Sequence, residues 1–423
     1  MKTYARYKDS GISWIGDVPE HWNCLKIKRL FDEDDEKNEN GEFELLSFSK
    51  NKGLIYYKDN NEKEPSAGDL TKYRVVHKGQ LLENRMQAWH GMFICVDKEG
   101  CVSPDYSVFN ANKRIVGSVK YYEYCFRLPM WVQQFANESR GIGDGFNRLY
   151  TSQFHKIMAI VPPPSEQKAI AEYLDKKTAQ INELVSAKQK QIELLKEYKQ
   201  SVIADAVTGK LNKNCRMKDS GISWIGKIPE NWEKLPFCAL FEQKSQCGHC
   251  DEELLSVYLD KGVIRFSDGG EKRANATSED LSKYQLVEVG DFVLNNQQAW
   301  RGSVGVSFFR GIVSPAYVIL KMSEKLERNF ANYLLRDRSM VAMYCICSKG
   351  VGSIQRNLVW NKLKRMPVFV PPLSEQKEIV AYIEKKVASI DSQIATIDNQ
   401  IANLNEYKQS LISDVVTGKV KVC

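Results

Sequence analysis

The sequence is short of the features that mark a membrane or secreted protein. No run of about 18 apolar residues occurs in it, which argues against a membrane-spanning helix. The first residues, MKTYARYKDSG, contain no apolar stretch of the kind that a signal peptide needs. We therefore expect a cytoplasmic protein without a membrane partner.

The sequence also lacks the short motifs of common catalytic sites. It has no G-x-x-x-x-G-K-[ST] phosphate loop, no Asn-Pro-Pro-Tyr-like or Asp-Pro-Pro-Tyr-like methyltransferase motif, and no G-x-G-x-x-G turn after a strand. Ser103-Pro104-Asp105-Tyr106 is superficially similar to a methyltransferase motif, but its copy, Ser314-Pro315-Ala316-Tyr317, replaces the aspartate by alanine. The five histidines have no metal-ligand spacing. We expect a binding protein with no catalytic residues, metal or cofactor of its own.

Cysteine is the one residue type that invites a metal or redox interpretation. The eleven cysteines include Cys247-Gly-His-Cys250, which has the spacing of half a zinc site or of a redox dithiol. A structural zinc site needs a second pair, and Cys345 and Cys347 have the wrong spacing for one. The motif lies in a polar stretch, 242–251, and has no counterpart in the first half. We expect reduced thiols, and the role of Cys247 and Cys250 stays open.

The composition is that of folded domains with a mild excess of positive charge. Hydrophobic residues make up 43% and charged residues 27% of the 423 positions, which is typical of globular domains with real cores. The net charge is +7 and the pI is near 8.7. A polyanionic partner is compatible with this charge but is not established by it.

The chain states much of its sequence twice. Three blocks recur 209 or 210 residues later: KDSGISWIG (8–16 and 218–226), PPPSEQKAIAEYL as PPLSEQKEIVAYI (162–174 and 371–383), and EYKQSVIADAVTGK as EYKQSLISDVVTGK (197–210 and 406–419). Solenoid repeats are much shorter, at about 20–50 residues. The repeat therefore predicts two related globular halves, an arrangement suited to a long target such as DNA.

Each half combines a mixed segment with a long helical segment. Short alternating stretches predict strands at Lys113–Val119, Phe292–Leu294, Val304–Phe308 and Tyr317–Leu320, and helical spacing occurs at Leu128–Ser139 and Glu327–Met343. We predict an α+β fold with internal pseudo-two-fold symmetry. Its expected parts are a first globular domain (1–161), a central helix (162–210), a second globular domain (217–370) and a C-terminal helix (371–419).

The two helical segments have clear start and stop signals. Prolines precede Ser165, which is a good N-cap, and Glu166 is suited to the positive end of the helix dipole. Glycine follows Thr208, so the predicted helix Ser165–Thr208 is 44 residues, or about 65 Å, long. Its copy runs from Ser374 to Thr417.

Apolar residues recur along both helices with the 3.5-residue period of a coiled coil. The predicted pairing residues are Leu174, Ile181, Val185, Ile192, Leu195 and Val202 in the first helix and Ile383, Val387, Ile390, Ile394, Ile397, Ile401, Leu404 and Leu411 in the second. A stripe of this length is difficult to bury on one domain, so we predict that the helices pair with each other, antiparallel. Thr178, Lys188 and Lys199 interrupt the first stripe, either to set the register or to contact another subunit.

Two segments in each half carry side chains suited to reading bases. Residues 84–91 (NRMQAWHG) align with 295–302 (NNQQAWRG), and the glycine-rich residues 141–148 align with 350–357. Asn and Gln can bond the N6/N7 edge of adenine, and Arg the O6/N7 edge of guanine. The predicted DNA-binding residues are Asn84, Arg85, Gln87, Trp89, His90, Asn147 and Arg148 in the first half, and Asn296, Gln297, Gln298, Trp300, Arg301, Lys349, Gln355 and Arg356 in the second. Buried tryptophans and a plain tight turn are the alternative interpretation of these segments.

The order of the repeated blocks resembles the specificity subunit of type I restriction–modification systems. The resemblance covers nearly the whole chain and rests on KDSGISWIGDVPEHW (8–22), the glycine and arginine loop, the SEQ helix start and the TGK helix end, each given twice. It implies a prokaryotic protein whose two globular domains are target-recognition domains. Each of them would read one half of a split double-stranded DNA target, and the helix pair would fix the gap. The resemblance also implies that two modification (methyltransferase) subunits and restriction (translocase–nuclease) subunits join the chain. S-adenosylmethionine, ATP and Mg would then belong to those subunits.

Two other functions remain open from the residues alone. A single-chain restriction enzyme or methyltransferase would need the missing catalytic motifs. A coiled-coil scaffold that binds only protein would not need the paired amide and arginine segments.

Overall fold

The computed structural model describes residues 2–49, 52–59, 69–141, 147–211, 215–269, 280–350 and 356–422. Its contacts divide the chain into two compact units. The first is Met1–Lys188 with Asp398–Cys423, and the second is Gln189–Ile397. Each unit therefore contains one mixed domain together with part of each long helix.

The described residues of the first domain form short strands and three α-helices. Its strands are β1 (Tyr7–Asp9), β2 (Asp17–Pro19), β3 (Asn23–Lys26), β4 (Phe31–Asp34), β5 (Leu46–Ser49), β6 (Gly53–Tyr56), β7 (Arg74–Val76), β8 (Leu81–Asn84), β9 (Phe93–Cys95), β10 (Gly100–Val102), β11 (Tyr106–Ala111), β12 (Arg140–Gly141), β13 (Asn147–Arg148) and β14 (Met158–Val161). Its helices are α1 (Val119–Phe126), α2 (Pro129–Glu138) and α3 (Thr151–Phe154), and the long helix α4 (Pro164–Val207) follows.

The second domain repeats this order, with a short α-helix where the first domain has a 3-10 helix at Ile27–Arg29. Its strands are β15 (Met217–Asp219), β16 (Lys227–Pro229), β17 (Glu233–Pro236), β18 (Phe241–Lys244), β19 (Leu255–Tyr258), β20 (Gly262–Arg265), β21 (Gln285–Val287), β22 (Phe292–Asn295), β23 (Val304–Val306), β24 (Gly311–Val313), β25 (Tyr317–Met322), β26 (Ser348–Lys349), β27 (Asn357–Leu358) and β28 (Pro367–Val370). Its helices are α5 (Phe237–Leu240), α6 (Arg328–Arg336), α7 (Arg338–Ile346) and α8 (Trp360–Leu363), followed by the long helix α9 (Leu373–Val416).

The strands of both domains pair in the same way. An antiparallel four-stranded sheet has the order β4-β11-β8-β9 in the first domain and β18-β25-β22-β23 in the second. The strand before each long helix pairs with an early strand of its own domain, β14 with β3 and β28 with β17. The predicted α+β fold class with two related domains is confirmed.

Buried aromatic residues form most of each large core. Trp22 and Trp131 are fully buried in the first domain, and Trp232 is nearly so in the second. The large core of each domain continues onto residues of the long helices, such as Leu174 in the first unit and Ile383 in the second. The helices are thus part of each domain's hydrophobic interior.

Two sequence-based element predictions need correction. Lys113–Val119 is not a strand, because Ile115 and Val116 donate their backbone N–H groups to Asn112 in a turn and Ser118 then caps α1. Glu327–Met343 is not one helix, because Asp337 has extended backbone angles and caps α7 through the N–H of Ser339 at 2.9 Å. The other predicted strands agree with β22, β23 and β25 to within two residues at each end. The predicted helix Leu128–Ser139 agrees with α2 to within one residue at each end.

The repeated Ser-Glu-Gln sequence joins each long helix to its domain. The Gln167 side chain is fully buried. Its amide donates to the carbonyls of Ile115 and Pro162 at 2.9 and 2.8 Å, and its oxygen accepts from the N–H of Gly117 at 2.9 Å. Gln376 makes three corresponding bonds in the second unit. A buried amide with every bond satisfied holds the helix start in one position.

The glutamate beside it makes a second connection. Glu166 accepts hydrogen bonds from the Trp22 indole at 3.0 Å and the Tyr4 hydroxyl at 2.9 Å, and its other oxygen lies 2.6 Å from His21 Nε2. Glu375 has the corresponding place in the second unit. The helix dipole alone did not predict these partners, which come from the repeated N-terminal block.

The same tryptophan region also receives the end of a long helix. Gly418, which follows α9, has φ +79°, and a Cβ there would lie 2.5 Å from Pro19 and 3.0 Å from Trp22. The Tyr7 hydroxyl donates to the Gly418 carbonyl at 3.0 Å. Gly209 is in a similar position after α4 in the second unit. Only glycine fits both the left-handed backbone and the close approach.

Within the first unit the two long helices run antiparallel. Lys188 Nζ donates to Gln400 Oε1 at 2.6 Å, and Lys408 Nζ donates to Asn182 Oδ1 at 2.9 Å. Residue numbers therefore rise along one helix as they fall along the other. The pairing predicted from the sequence is confirmed for this unit.

Within the second unit the helices pair in the same sense. Lys199 Nζ lies 2.8 Å from both carboxylate oxygens of Asp391. Val207, at the end of α4, shares a buried cluster with Ile379 and Ile383, near the start of α9. The helix segments of this unit are therefore antiparallel as well.

Candidate nucleic-acid interface

Three short segments meet in each domain. In the first domain they are 84–91, 103–106 and 147–149, which we call the first loop cluster. In the second domain they are 295–302, 314–317 and 356–358, which we call the second loop cluster. One backbone bond is common to both: the Leu149 N–H donates to the Arg85 carbonyl at 3.0 Å, and the Leu358 N–H donates to the Asn296 carbonyl at 3.2 Å.

The shared Gln-Ala-Trp sequence forms the frame of each cluster. Ala88 and Ala299 are fully buried and begin a 3-10 turn. The Trp89 indole donates to the carbonyl of residue 86 at 2.9 Å, and the Trp300 indole to that of residue 297 at 3.0 Å. Gly302 ends the second turn at φ +98°, a left-handed conformation that favours glycine. The frame is therefore structural, and it fixes the backbone positions from which the side chains that differ between the domains project.

Asn84 helps to build the first frame. Its side-chain oxygen accepts from the Met86 N–H at 3.1 Å, and Asn295 makes the same bond to Gln297 in the second domain. Burial raises the pKa of Tyr106, and a hydrogen bond with the Asn84 side chain opposes this rise. The predicted contact of Asn84 with DNA would therefore compete with the hydrogen bonds that Asn84 makes inside the loop.

The arginines of the first loop cluster are occupied by protein partners. Arg85 Nε donates to the Asp105 carbonyl at 3.1 Å, and its Nη2 donates to the Pro104 carbonyl. Arg148 forms an ion pair with the Asp105 carboxylate at 3.3 Å. One carboxylate, that of Asp105, therefore pairs with Arg148, while Arg85 is held by neutral backbone carbonyls. Asp105 is not among the predicted site residues. It belongs to a turn that occurs in both halves, and its replacement by Ala316 in the second copy is the sequence signal that could have identified it.

The arginines of the second loop cluster are arranged differently. The guanidinium carbons of Arg301 and Arg356 lie 4.8 and 5.0 Å from the ring centroid of Trp300. Neither arginine forms an ion pair with another described residue. In the first cluster, the ring over Trp89 is that of His90, with 3.6 Å between the centroids.

The structure places the predicted DNA-binding residues at two levels of exposure. The exposed residues are Gln87, His90, Asn147, Gln297, Arg301 and Lys349. The half-buried residues are Asn84, Arg85, Trp89, Arg148, Asn296, Gln298, Trp300 and Arg356. Gln355 and most of both glycine-rich loops, at 142–146 and 351–355, lie outside the described residues. Contact of these side chains with bases stays a prediction.

A buried carboxyl group lies beneath the first loop cluster. Glu83 precedes Asn84 on β8, is 0% exposed and has no hydrogen-bond partner among the described residues. Burial raises its pKa well above the ordinary glutamate value, while the charge of Arg85 opposes this. Ser107, opposite it on β11, is also buried without a partner among the described residues. The repeat places Leu294 at the position of Glu83 in the second domain.

The predicted pairing residues of the long helices are all withdrawn from solvent to some degree. Leu174, Ile181, Ile192, Val202, Ile383, Ile390, Ile397 and Leu411 are buried, and Val185, Leu195, Val387, Ile394, Ile401 and Leu404 are half-buried. The polar interruptions have partners in the chain: Lys188 and Lys199 reach the facing helix, and Thr178 Oγ1 lies 3.2 Å from the Tyr124 hydroxyl. These contacts favour the register interpretation of the interruptions.

Other predicted absences concern metals and membranes. Cys247 and Cys250 are exposed thiols, and the described residues contain no cluster of His, Cys, Asp or Glu side chains able to hold a metal ion. Among the described helices, none combines the length and the apolar character that crossing a membrane requires.

Comparison with known families decides the relationship of the chain. A sequence model of the family described as "Type I restriction modification DNA specificity domain" matches residues 8–194 and 229–403. The chain belongs to this family. It carries two DNA specificity domains, and the resemblance seen in the repeated blocks is confirmed.

Curated relatives bear type I specificity-subunit names. The chain is 25% identical over 302 residues to the EcoKI specificity subunit of Escherichia coli strain K12, covering 67% of this chain and 62% of that subunit. It is 24% identical over 376 residues to the MjaVIII specificity subunit of Methanocaldococcus jannaschii, covering 84% of each. The chain thus spans less than two thirds of the length of the first of these relatives.

Solved structures share the fold. A chain from a structure concerning complex assembly and conformational transition of the type I restriction–modification system matches with a TM-score of 0.67 and 13% identity, covering 95% of this chain and 99% of that chain. The HsdS subunit from Thermoanaerobacter tengcongensis matches with a TM-score of 0.56 and 14% identity, covering 95% and 98%. At these identities the likeness shows the fold alone.

Proposed function

We propose that this specificity-domain protein is the DNA-recognition subunit of a type I restriction–modification enzyme. In this proposal each domain reads one half of a bipartite target in double-stranded DNA. The observation that carries it is the pair of loop clusters, which share a frame but differ in the side chains that the frame presents. His90 and Asn147 in the first cluster are replaced by Arg301 and Arg356 in the second. A common frame with different donors suits two readers of different sequences.

The paired helices would fix the gap between the two half-sites. Each domain grips a helix start through a buried glutamine and a helix end through a glycine, as Gln167 and Gly418 do in the first unit. A 44-residue helix that is held at both ends sets a fixed distance between the groups that hold it. The helix pair is therefore suited to the role of a ruler.

Catalysis would belong to partner subunits of a cytoplasmic complex. Two modification subunits would transfer methyl groups from S-adenosylmethionine to adenine, and restriction subunits would supply ATP-dependent translocation and cleavage with Mg. The recognition chain would then have no catalytic role of its own. Purified alone, it should methylate no DNA, whereas the chain with its modification subunits should methylate a bipartite site. Methylation by the chain alone would instead support the single-chain enzyme.

A domain exchange tests the recognition role. Residues 217–370 would be replaced by the second recognition domain of a relative, and methylated adenines would be mapped in a host that carries the locus. We expect one half-site to change while the other half-site and the gap persist. The control is a chain assembled through the same two junctions with its own residues 217–370. The two-reader proposal would be contradicted if both half-sites changed, or if the methylated adenines in the control belonged to no specific sequence.

The modification subunits would dock on apolar side chains that the helix pair leaves exposed. Tyr198 in the second unit is 53% exposed, and Tyr407 in the first unit is 47% exposed. Both lie in the repeated Glu-Tyr-Lys-Gln-Ser sequence, so each unit offers one such site. Exposed aromatic residues are frequent anchors of protein interfaces.

Stoichiometry tests this docking. Replacing Tyr198 by Ala should reduce the bound modification subunits from two to one, and Tyr407→Ala should do the same. The double variant should bind neither, while the control Glu193→Ala, which changes a nearby exposed residue, should bind both. Light scattering of the purified complexes measures the mass. Two bound subunits in the double variant would place the docking site elsewhere.

A further inference from the structure

The second loop cluster concentrates positive charge on one aromatic ring. Arg301 and Arg356 both lie within 5.0 Å of the Trp300 centroid, although they come from segments more than fifty residues apart in sequence. The ring itself is anchored, because its N–H is bonded to the Gln297 carbonyl at 3.0 Å and the neighbouring Ala299 is fully buried. The two cations are therefore held over a fixed platform.

This arrangement leaves hydrogen-bond donors available. A guanidinium group that lies over an aromatic ring is attracted through its charge and does not use its N–H donors for that attraction. Arg356 directs one nitrogen towards the Cys345 sulfur at 3.5 Å, a weak acceptor, and Arg301 is exposed. No described carboxylate pairs with either arginine. Two like charges close together without an anion favour the binding of one.

The first loop cluster lacks this arrangement. Its anchored tryptophan, Trp89, is covered by His90, and Asn147 stands at the position of Arg356. Its arginines are bonded to the turn containing Asp105, where the second domain has Ala316. The two domains thus share the frame, but the arginines of the first are tied to the Asp105 turn while those of the second lie over the tryptophan ring without a carboxylate partner among the described residues.

We propose that Arg301 and Arg356, positioned by Trp300, form a two-arginine clamp for acceptor atoms of DNA in the half-site read by the second domain. The inference rests on the proposed recognition function. The acceptors are either the O6 and N7 atoms of guanine or the oxygens of a phosphate, since a guanidinium fork fits both. The first domain reads its half-site without an equivalent clamp.

The test uses the full chain with its modification subunits and DNA carrying the mapped site. Dissociation constants are measured at several salt concentrations for Arg301→Ala, Arg356→Ala and the double variant. Arg328→Ala is the matched control, because Arg328 is an exposed arginine of the same domain over another aromatic ring, that of Phe308. Its binding should equal that of the unchanged chain.

The two acceptor sources give different results. A guanine contact predicts affinity for the second half-site lowered roughly five- to 150-fold per arginine, with preference relaxed at one base pair. Replacing that guanine by 7-deazaguanine, which lacks N7, should then reproduce the loss. A phosphate contact predicts weaker binding to all sequences and a salt slope lower by about 1 per arginine. If the contact is to phosphate, Arg301→Lys should bind with the slope of the unchanged chain, because lysine keeps the charge. If the contact is to guanine, Arg301→Lys should still show relaxed base preference, because lysine lacks the guanidinium fork.

Trp300 is tested as a positioning residue. Trp300→Ala should weaken binding in the unchanged background but add little in the Arg301→Ala, Arg356→Ala background, and Trp300→Phe should retain most of the affinity. Binding by all arginine variants at the level of Arg328→Ala would overturn the clamp while leaving recognition intact. Failure of the unchanged complex to prefer any site would instead overturn the proposed function.

Discussion

The indole N–H of Trp22 donates a hydrogen bond to the Glu166 carboxylate at 3.0 Å, and 210 residues later Trp232 makes the same bond to Glu375 at 2.9 Å. In each unit a tryptophan from the start of the domain thereby holds the first turn of a long helix. The bond explains why the distant blocks ending in Trp and starting with Ser-Glu-Gln recur together. Each block supplies one partner of the same contact.

Replacing Glu166 by Gln should lower the free energy of unfolding by about 1–2 kcal/mol at neutral pH, because hydrogen bonds to a charged group are stronger than neutral ones. Burial of the carboxyl acts to raise its pKa, but the hydrogen bonds from His21, Trp22 and Tyr4 outweigh this and the pKa is lowered. A lowered folded-state pKa stabilises the protein above the unfolded pKa, near 4.3, and the effect is lost as the pH falls through the folded value.

Urea unfolding at several pH values measures this difference. The difference in the free energy of unfolding between the unchanged protein and Glu166→Gln should therefore become smaller below about pH 4.3. Glu172→Gln, which changes an exposed carboxylate on the same helix, is the control. If this free-energy difference stayed constant to low pH, the ionised carboxylate would not be the stabilising form.

Replacing Glu83 by Leu should stabilise the first domain by about 1–3 kcal/mol at pH 7, the usual cost of a buried polar group left without a partner. Burial raises the pKa of Glu83, so stability should fall as the pH rises above the unfolded value. The variant should lack that decline. Thermal unfolding across the pH range measures both effects.

The second domain supplies the matched control for this change. It carries Leu294 and Val318 where the first has Glu83 and Ser107. Leu294→Glu should therefore destabilise the second domain by a similar amount. If Glu83→Leu lowered stability instead, the carboxyl would have a partner that geometry alone does not reveal.

Replacing Lys188 and Lys199 together by Leu should make the helix pair less specific in its register. Both lysines interrupt the apolar stripe and bond to Gln400 and Asp391 on the facing helix. Polar residues within such a stripe fix register at a cost in stability, and leucines would permit competing pairings. We expect mixed oligomers by light scattering, with helix content retained. A monodisperse variant with unchanged partners would assign the lysines another role.

The energy of one such contact is measurable by itself. Lys199 and Asp391 are 30% and 51% exposed, so a double-mutant cycle should give only about 0.2–1 kcal/mol. A clearly larger coupling would mean that the pair is more shielded from water than its exposure indicates.

Inserting seven residues into each long helix, at matching positions of the stripe, should lengthen the gap between the half-sites. Seven residues add about 10 Å of helix, or roughly three base pairs of B-DNA. Both half-sites should persist, since the loop clusters are untouched. Methylation mapping of genomic DNA gives the gap directly, and an unchanged gap would mean that something other than the helices sets it.

The sequence predicted elements best where one local pattern decided the structure. The helix predicted at Ser165–Thr208 begins and ends one residue earlier, at Pro164–Val207. The alternating pattern of Lys113–Val119 predicts a strand but is equally compatible with the turn that forms there and leads to the N-cap Ser118. Asp337 divides the segment after Glu327, since a capping side chain within a helical pattern can start a new helix.

The loop clusters were predictable only in part. The repeat identified Trp89 and Trp300 as common and their neighbours as different, which was enough to locate the frame. It did not predict that Arg85 bonds to a turn twenty residues away, or that Arg356 lies over Trp300. Such contacts depend on how strands bring separate segments together, and no local pattern encodes that.

The tryptophan–glutamate contact has a consequence for how this chain can diverge. A substitution at Trp22 or Glu166 removes a contact between a domain and its long helix. A substitution at His90 or Asn147 changes a side chain that the loop cluster exposes. The two copies accordingly retain Trp22 and Glu166 as Trp232 and Glu375, but have exchanged His90 for Arg301. The exposed loop residues can thus change while the contact between domain and helix is kept. Comparison of the two halves of one chain therefore separates the residues that attach a domain from those that differ in what they can bind.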